Sequence, residues 1–226
     1  MIRLLDVILS MAALVFLSPI LFFCCLILKI TGEHEIFFKQ QRIGLNGTCF
    51  SLLKFATMKK NSPNEGTRSL TVKNDPRILP VGKFLRKAKI NEIPQLFNVV
   101  RGDMSLIGPR PQSIESFNLF PHKMKKKIVS VRPGISGIGS IVFRNEEELL
   151  KGTDSTSFYG NQIMPYKGKI ELWFVENKCL KLWIKLILLT IWVVCLPSSK
   201  LVWRMFDDLP KPNETLSISL GLKPSD

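Results

Sequence analysis

The chain has 226 residues, room for one substantial core or for a modest core with a membrane element. Lys and Arg total 32 against 18 Asp and Glu, and the resulting +14 calls for an anionic surface or substrate: nucleic acid, acidic lipid or phosphate. Five cysteines without metal-ligand or redox spacing, and two isolated histidines, speak against a zinc site and favour reduced thiols acting as small hydrophobes.

Between Asp6 and Lys29 lie 22 residues without charge. As a helix they would extend about 33 Å, a match for a hydrocarbon core of roughly 30 Å. The run exceeds a usual signal-peptide core, and no small-residue cleavage pattern follows it. Arg3 and Asp6, three residues apart, are placed to pair with each other at the headgroups. Ser18-Pro19 falls mid-run, where proline removes a helical hydrogen bond and Ser18 can return its hydroxyl to the backbone. A kink is expected, and two outcomes stay open: a kinked transmembrane helix, or a re-entrant one that leaves by the face it entered. Most of the positive charge follows Lys29, which assigns the body to the cytoplasm.

From Glu35 the pattern EIFFKQQRIGLNG reads as a strand and an Asn46-Gly47 turn, with CFSLLKFATM as the returning strand. Gln41, Arg42 and Lys54 are expected to bring donors to one end of this hairpin, as a site or as ordinary surface cations. Residues 59–74 are polar and read as a loop. Asp75-Pro76-Arg77 opens the next element, a helix from Val81 to Lys89 that Pro94 ends or bends near Ile93. Asn91 and Glu92 then lie just before the break, where exposed functional groups are expected. Gly102 permits a tight turn before Asp103, and the prolines at 109 and 111 restrict the backbone of Arg110, which suits an arginine meeting a phosphate bidentately. Arg132 repeats the device ahead of Pro133-Gly134.

FRNEEELLKG reads as a charged surface segment and residues 161–175 as an apolar-aromatic one. In the stretch 178–197, Lys178, Lys181 and Lys185 share one helical face. An interfacial helix is preferred there over a second span, because the uncharged run after Lys185 is short. Residues 198–226 are expected to form a polar, flexible tail.

The cations Arg42, Lys54, Arg77, Arg86, Arg110 and Arg132, beside a membrane anchor, point to a phosphorylated substrate handled at a membrane. Glu92, Asp103 and Asp75 are the carboxylates that could set a divalent cation against a diphosphate. No P-loop, kinase signature or dinucleotide fingerprint is present. Nucleic acid is a poor alternative, since it leaves the apolar run unexplained; a non-enzymatic membrane scaffold stays open.

Three long stretches in order, QQRIGLNGTCFSLLKFATM, DPRILPVGKFLRKAKINEIPQLFNVVRGDMSLIGPRP and VRPGISG, resemble the bacterial sugar transferases that are monotopic polyprenyl-phosphate phosphoglycosyl transferases. The resemblance runs from Arg3 to about Pro197. It implies an α/β (α+β) monotopic membrane protein: a re-entrant helix over 1–30 broken at Ser18-Pro19, and a catalytic domain over 31–197 with a small β-hairpin, helices and the interfacial helix 178–197. It implies transfer of a sugar-1-phosphate from a UDP-sugar to undecaprenyl phosphate at the cytoplasmic face of the inner membrane. UMP would leave, and capsule, exopolysaccharide, lipopolysaccharide or glycoprotein assembly would begin. Further implied partners are membrane lipid and either a second copy of the chain or downstream glycosyltransferases.

In that family an adjacent Asp-Glu pair works with Mg²⁺, the Asp attacking the sugar-bearing phosphate to form a covalent adduct. Glu92 matches the second carboxylate and is the implied Mg²⁺ ligand, with Asp103 a further one. The nucleophile position is Asn91, an amide and a weak nucleophile. The departure leaves a non-catalytic homologue that binds UDP-sugar or lipid phosphate as the alternative reading.

Overall fold

A computed structural model of the protein describes residues 1–64, 75–150, 155–197 and 199–222. The chain begins with α1 (Ile2–Phe16) and α2 (Ser18–Ile30), bent by 62° at Leu17. Pro19 sits in the first turn of α2, where its missing N–H costs nothing, and Ser18 Oγ donates to Val15 O at 2.8 Å. Among the described residues no single helix is long and apolar enough to cross a membrane.

Both legs of the bent pair are fastened to the body. Asp6, 2 % exposed, accepts from Ser105 Oγ at 2.7 Å and from Leu106 N at 3.0 Å. Arg3 donates to Met104 O at 3.2 Å and Val100 O at 3.1 Å. The pair expected between Arg3 and Asp6 is therefore replaced by bonds to three backbone groups and one hydroxyl of the body. From the other leg, Cys24 and Leu28 pack with Phe55 and Leu85. Val15, Phe16, Phe22 and Phe23, near the bend, remain exposed.

β1 (Phe37–Ile43) and β2 (Cys49–Phe55) form an antiparallel hairpin through Asn46 and Gly47, both at positive φ. Its register pairs Phe38 with Lys54 and Arg42 with Phe50. Arg42 and Lys54 thus share a face, four positions apart along the ladder, rather than one end, while Gln41 lies on the opposite face and donates to Ser51 Oγ at 3.0 Å. Of the loop expected over 59–74, residues 65–74 lie outside the described part.

α3 (Pro80–Lys87) crosses so close to the chain after β2 that a Cβ on Gly82 would stand 2.2 Å from Thr57 O. The helix stops at Ala88 because Lys89 turns left-handed (φ 58). One 3₁₀ turn, Ile90–Glu92, follows, and α4 (Gln95–Arg101) starts directly after Pro94. Pro94 thus opens a helix, and the break comes five residues earlier than proline alone suggests.

Next come β3 (Ser105–Ile107), α5 (Ile114–Asn118), α6 (His122–Ile128) and β4 (Gly134–Ser136), with β3 and β4 paired in parallel. α7 (Ile138–Val142), α8 (Glu146–Leu149) and α9 (Ser155–Phe158) lead through a π turn into α10 (Met164–Glu176). α11 (Leu180–Cys195) buries Trp183, Leu186 and Leu189 in the main core with Ile107, Ile138 and Phe174, and leaves Ile184, Leu188, Ile191 and Trp192 outside.

Beyond residue 197 the expected loose tail gives way to α12 (Leu201–Met205) and α13 (Glu214–Ser219). Val202, Leu209 and Leu216 are buried, Asn213 caps α13, and Tyr166 Oη donates to Pro210 O at 2.6 Å. The polar composition hid four apolar residues, Val202, Phe206, Leu209 and Leu216, that join the main core.

Replacing Asp6 with Ala strands the donors of Ser105 and Leu106. The Asp6→Ala protein should lose on the order of 2–3 kcal/mol of stability, seen as a lower thermal midpoint in detergent.

Candidate active site

The site is built around the corner Gly108-Pro109-Arg110-Pro111-Gln112. Gly108 N donates to Ser136 O at 2.9 Å and Gly134 N to Pro109 O at 2.8 Å, so the β3–β4 pairing continues into it. A Cβ on Gly134 would stand 2.1 Å from Gly108 N, and one on Gly108 2.5 Å from Arg132 O; no side chain fits at either position. From the hairpin, Arg42 Nη1 donates to Pro111 O at 3.2 Å and Ile43 N to Gln112 O at 3.0 Å. From α10, Glu171 Oε1 accepts the backbone N–H of Arg110 at 3.1 Å.

So fixed, Arg110 reaches Glu92 Oε1 with Nη2 at 3.4 Å. Glu92 and Asn91 come from the single turn between α3 and α4. The turn was expected to expose both groups. Instead Asn91 is 5 % exposed, with its Oδ1 buried and without a hydrogen-bond partner, and Glu92 is half-buried. Contacts of the turn with β2 and α3 close over it.

These residues line a cleft of about 1250 Å³, shared with Lys54, Arg42, Arg86 and Lys89. Burial by itself would raise the Glu92 pKa, but Arg110, Lys54 and Lys89 outweigh it and hold the carboxyl at about 2, so it is ionised at neutral pH. Burial also lowers Lys54, and although Glu92 opposes the shift, the nearby Arg42, Arg110 and Arg86 add to it and bring the amine to about 7. Arg42 falls to about 10 through burial and the neighbouring Arg110. Glu171, 1 % exposed, is pushed up to about 7 by burial, against its bond from Arg110 N and the charge of Lys167.

Arg42, Lys54, Arg86, Arg110, Asn91 and Glu92 are thus brought together. Arg77, Arg132 and Asp103 do not line the cleft. Arg77 is buried against Asp75 at 2.6 Å and donates to Ser62 O. Arg132 donates to Gly102 O at 2.9 Å. Asp103 accepts from Asn98 Nδ2 at 3.1 Å, and Asn98 in turn bonds Leu53 N and Ser51 O, so this group ties α4 to β2.

The segment expected to be a charged surface contributes to the site instead. Glu147 pairs with Arg86 at 2.8 Å and Glu146 with Lys167, itself 1 % exposed and stacked against Phe143 and Tyr159. Lys167 and Glu171, four apart in an apolar-aromatic run, were the available signal: two charges on the buried face of a helix need partners.

Among the described residues no group of three or more His, Cys, Asp or Glu could enclose a metal. The Glu92 carboxylate and the unpartnered Asn91 oxygen on one turn do fit a hard cation of the Mg²⁺ type, which takes one or two protein oxygens and completes its shell with water and substrate phosphate.

Against known proteins, the model of the family described as bacterial sugar transferase matches residues 1–197. An uncharacterized sugar transferase, EpsL, of Bacillus subtilis (strain 168) is 32 % identical over 189 residues, 84 % of this chain and 84 % of its own length. The UDP-N-acetylgalactosamine-undecaprenyl-phosphate N-acetylgalactosaminephosphotransferase of Aeromonas hydrophila is 37 % identical over 141 residues, 61 % of this chain. A UDP-glucose:undecaprenyl-phosphate glucose-1-phosphate transferase of Xanthomonas campestris pv. campestris is 36 % identical over 151 residues, 65 % of this chain. The chain spans about a third of the length of these last two, 33 % and 31 %.

Because the folded Lys54 pKa lies below its unfolded value, folding sheds a proton between about pH 7 and the ordinary lysine range, and stability rises with pH across that window. Binding runs the other way, since the cleft loses a cation above pH 7. Lys54→Arg stays charged, so the ratio of wild-type to Lys54→Arg affinity for UDP should fall from about pH 6 to about pH 8. Calorimetry on both proteins checks it, and Glu171, which titrates in the same window, is common to both.

Proposed function

The chain belongs to the bacterial sugar transferase family, and from that membership we propose a phosphoglycosyl transferase that moves a sugar-1-phosphate from a UDP-sugar to undecaprenyl phosphate. UMP is the released product, and the lipid-linked sugar phosphate starts a surface polysaccharide or glycan. The observation that carries this reading is the cationic cleft on the Arg110–Glu92 pair, large enough for a nucleotide sugar.

The bend at Leu17 supports a re-entrant anchor in the bacterial inner membrane, because the start of α1 and the later part of α2 are both fastened to the body while apolar residues near the bend are exposed. With the outer apolar face of α11 as an interfacial contact, the cleft would serve substrates at the cytoplasmic face.

In the cleft, Arg110 and Arg86 offer planar, bidentate donors to diphosphate oxygens, and Lys54 adds a point charge. Phosphate would exchange for the carboxylates of Glu92 and Glu147 on these arginines. Glu92 and the Asn91 oxygen are the residues to hold Mg²⁺, which when bound neutralises the departing UMP phosphate. Asn91 favours a second reading, in which the cleft binds UDP-sugar or lipid phosphate without turnover: the amide has no charge with which to displace UMP and form a phosphosugar adduct.

UMP release from several UDP-sugars with undecaprenyl phosphate separates the two readings. A covalent route blocked at Asn91 predicts an increase of roughly 10³-fold or more in Asn91→Asp. Equal release by both proteins would show that the amide does not block transfer. UDP-sugar binding in the presence of Mg²⁺ is expected in both.

A further inference from the structure

Three non-glycine residues among those described have a left-handed backbone: His34, Asn46 and Lys89. Asn46 is an ordinary hairpin-turn occupant, and His34 lies outside the cleft lining, in the loop that follows α2. Lys89 (φ 58, ψ 14) is in the cleft wall. Its N–H donates to Arg86 O at 3.0 Å, and its own carbonyl accepts from Glu92 N at 3.2 Å. One strained residue therefore ends α3 and starts the turn that carries Asn91 and Glu92. A lysine gains nothing locally from that conformation, whereas Gly or Asn adopts it with less cost. Strain of this kind persists where the surrounding structure over-determines it, and it clusters at ligand sites.

Three of the other cations around Lys89 are already matched. Arg86 holds Glu147, Arg110 holds Glu92, and Lys167 holds Glu146. Lys89 forms no ion pair among the described residues, although Glu92, Arg110, Glu147 and Arg144 are all within its electrostatic reach. With an amide at 91, the step from Lys89 to Glu92 has one positive and one negative side chain. On that turn an incoming phosphate meets a neutral amide where a second carboxylate would repel it.

We propose that Lys89 is a phosphate-binding residue of the cleft, gripping the diphosphate of a nucleotide sugar beside Asn91 and Glu92. The proposal rests on the reading of the cleft as a nucleotide-sugar site. It is tested on the full chain in detergent by calorimetry with UDP and with inorganic pyrophosphate. Lys89→Asn keeps a residue that tolerates the left-handed backbone and removes the charge; Lys89→Arg keeps the charge. Lys89→Asn should weaken both ligands roughly tenfold and reduce the dependence of affinity on salt, with a thermal midpoint no lower than wild type, while Lys89→Arg stays near wild type. Undiminished affinity in Lys89→Asn overturns the proposal. So does a loss shared by Lys89→Arg with a lowered midpoint, which would assign the residue to the fold of the turn. Wild-type binding of pyrophosphate but not UDP would overturn the nucleotide reading and still judge Lys89 on pyrophosphate; binding of neither overturns both.

Discussion

The hydrogen bond from the backbone N–H of Arg110 to the buried carboxylate of Glu171 is the constraint on which the site depends. It comes from the far side of the corner, opposite the bonds from Arg42 and Ile43, so the backbone at 110 is held between the hairpin and α10. Glu171 leaves so little room that a Cβ on Gly139 would stand 2.2 Å from its Oε1. Its other oxygen is buried without a hydrogen-bond partner. A carboxyl kept in such surroundings is expensive, consistent with its rise to about 7, and the return is an arginine whose position does not depend on its own flexible side chain.

A cleft with this many cations would repel itself apart unless the charges were matched. Glu92 on its turn and the adjacent Glu147 and Glu146 of α8 match three of them, Arg110, Arg86 and Lys167. Such pairs contribute little net stability after desolvation, and their value lies in exchange. In the proposed reaction phosphate oxygens would replace a carboxylate on a guanidinium at small net cost, one anionic partner being exchanged for another. Lys54 cannot share in this economy of pairing, having no carboxylate within bonding distance among the described residues. Burial and its cationic neighbours instead bring its pKa down to about 7.

The local parts of this architecture were legible in the sequence. The Asn46-Gly47 turn, the break at Ser18-Pro19 and the rigid corner around Arg110 each announce themselves through backbone chemistry confined to a few residues. Long-range partners did not. Arg77 and Arg110 both follow a proline, yet one is buried against Asp75 and the other faces the cleft, and only the tertiary path separates them. Glu146 and Glu147 look like solvated charges until Lys167 and Arg86 arrive from elsewhere in the chain. Lys89 carries no sequence mark of a left-handed residue, since lysine is not a turn former; the break that Pro94 seemed to dictate was set by tertiary contacts of the Ile90–Glu92 turn with β2 and α3.

Anchor and site meet on one short element. α4 begins just after the turn that presents Asn91 and Glu92, and Arg3 of α1 binds the carbonyl of Val100 near its other end. Seven helical residues extend about 10 Å, so α1, the proposed membrane leg, and the proposed reacting turn are held apart by little more than one helix of fixed length. Arg3 at that C-terminus also meets the negative end of the helix, and Asp6 locks the adjoining strand β3. A phosphate carried on a lipid tail has limited reach out of the bilayer. If α1 is the proposed anchor, fastening it directly to α4, rather than through a linker, would keep such a phosphate and Glu92 within one fixed distance of each other.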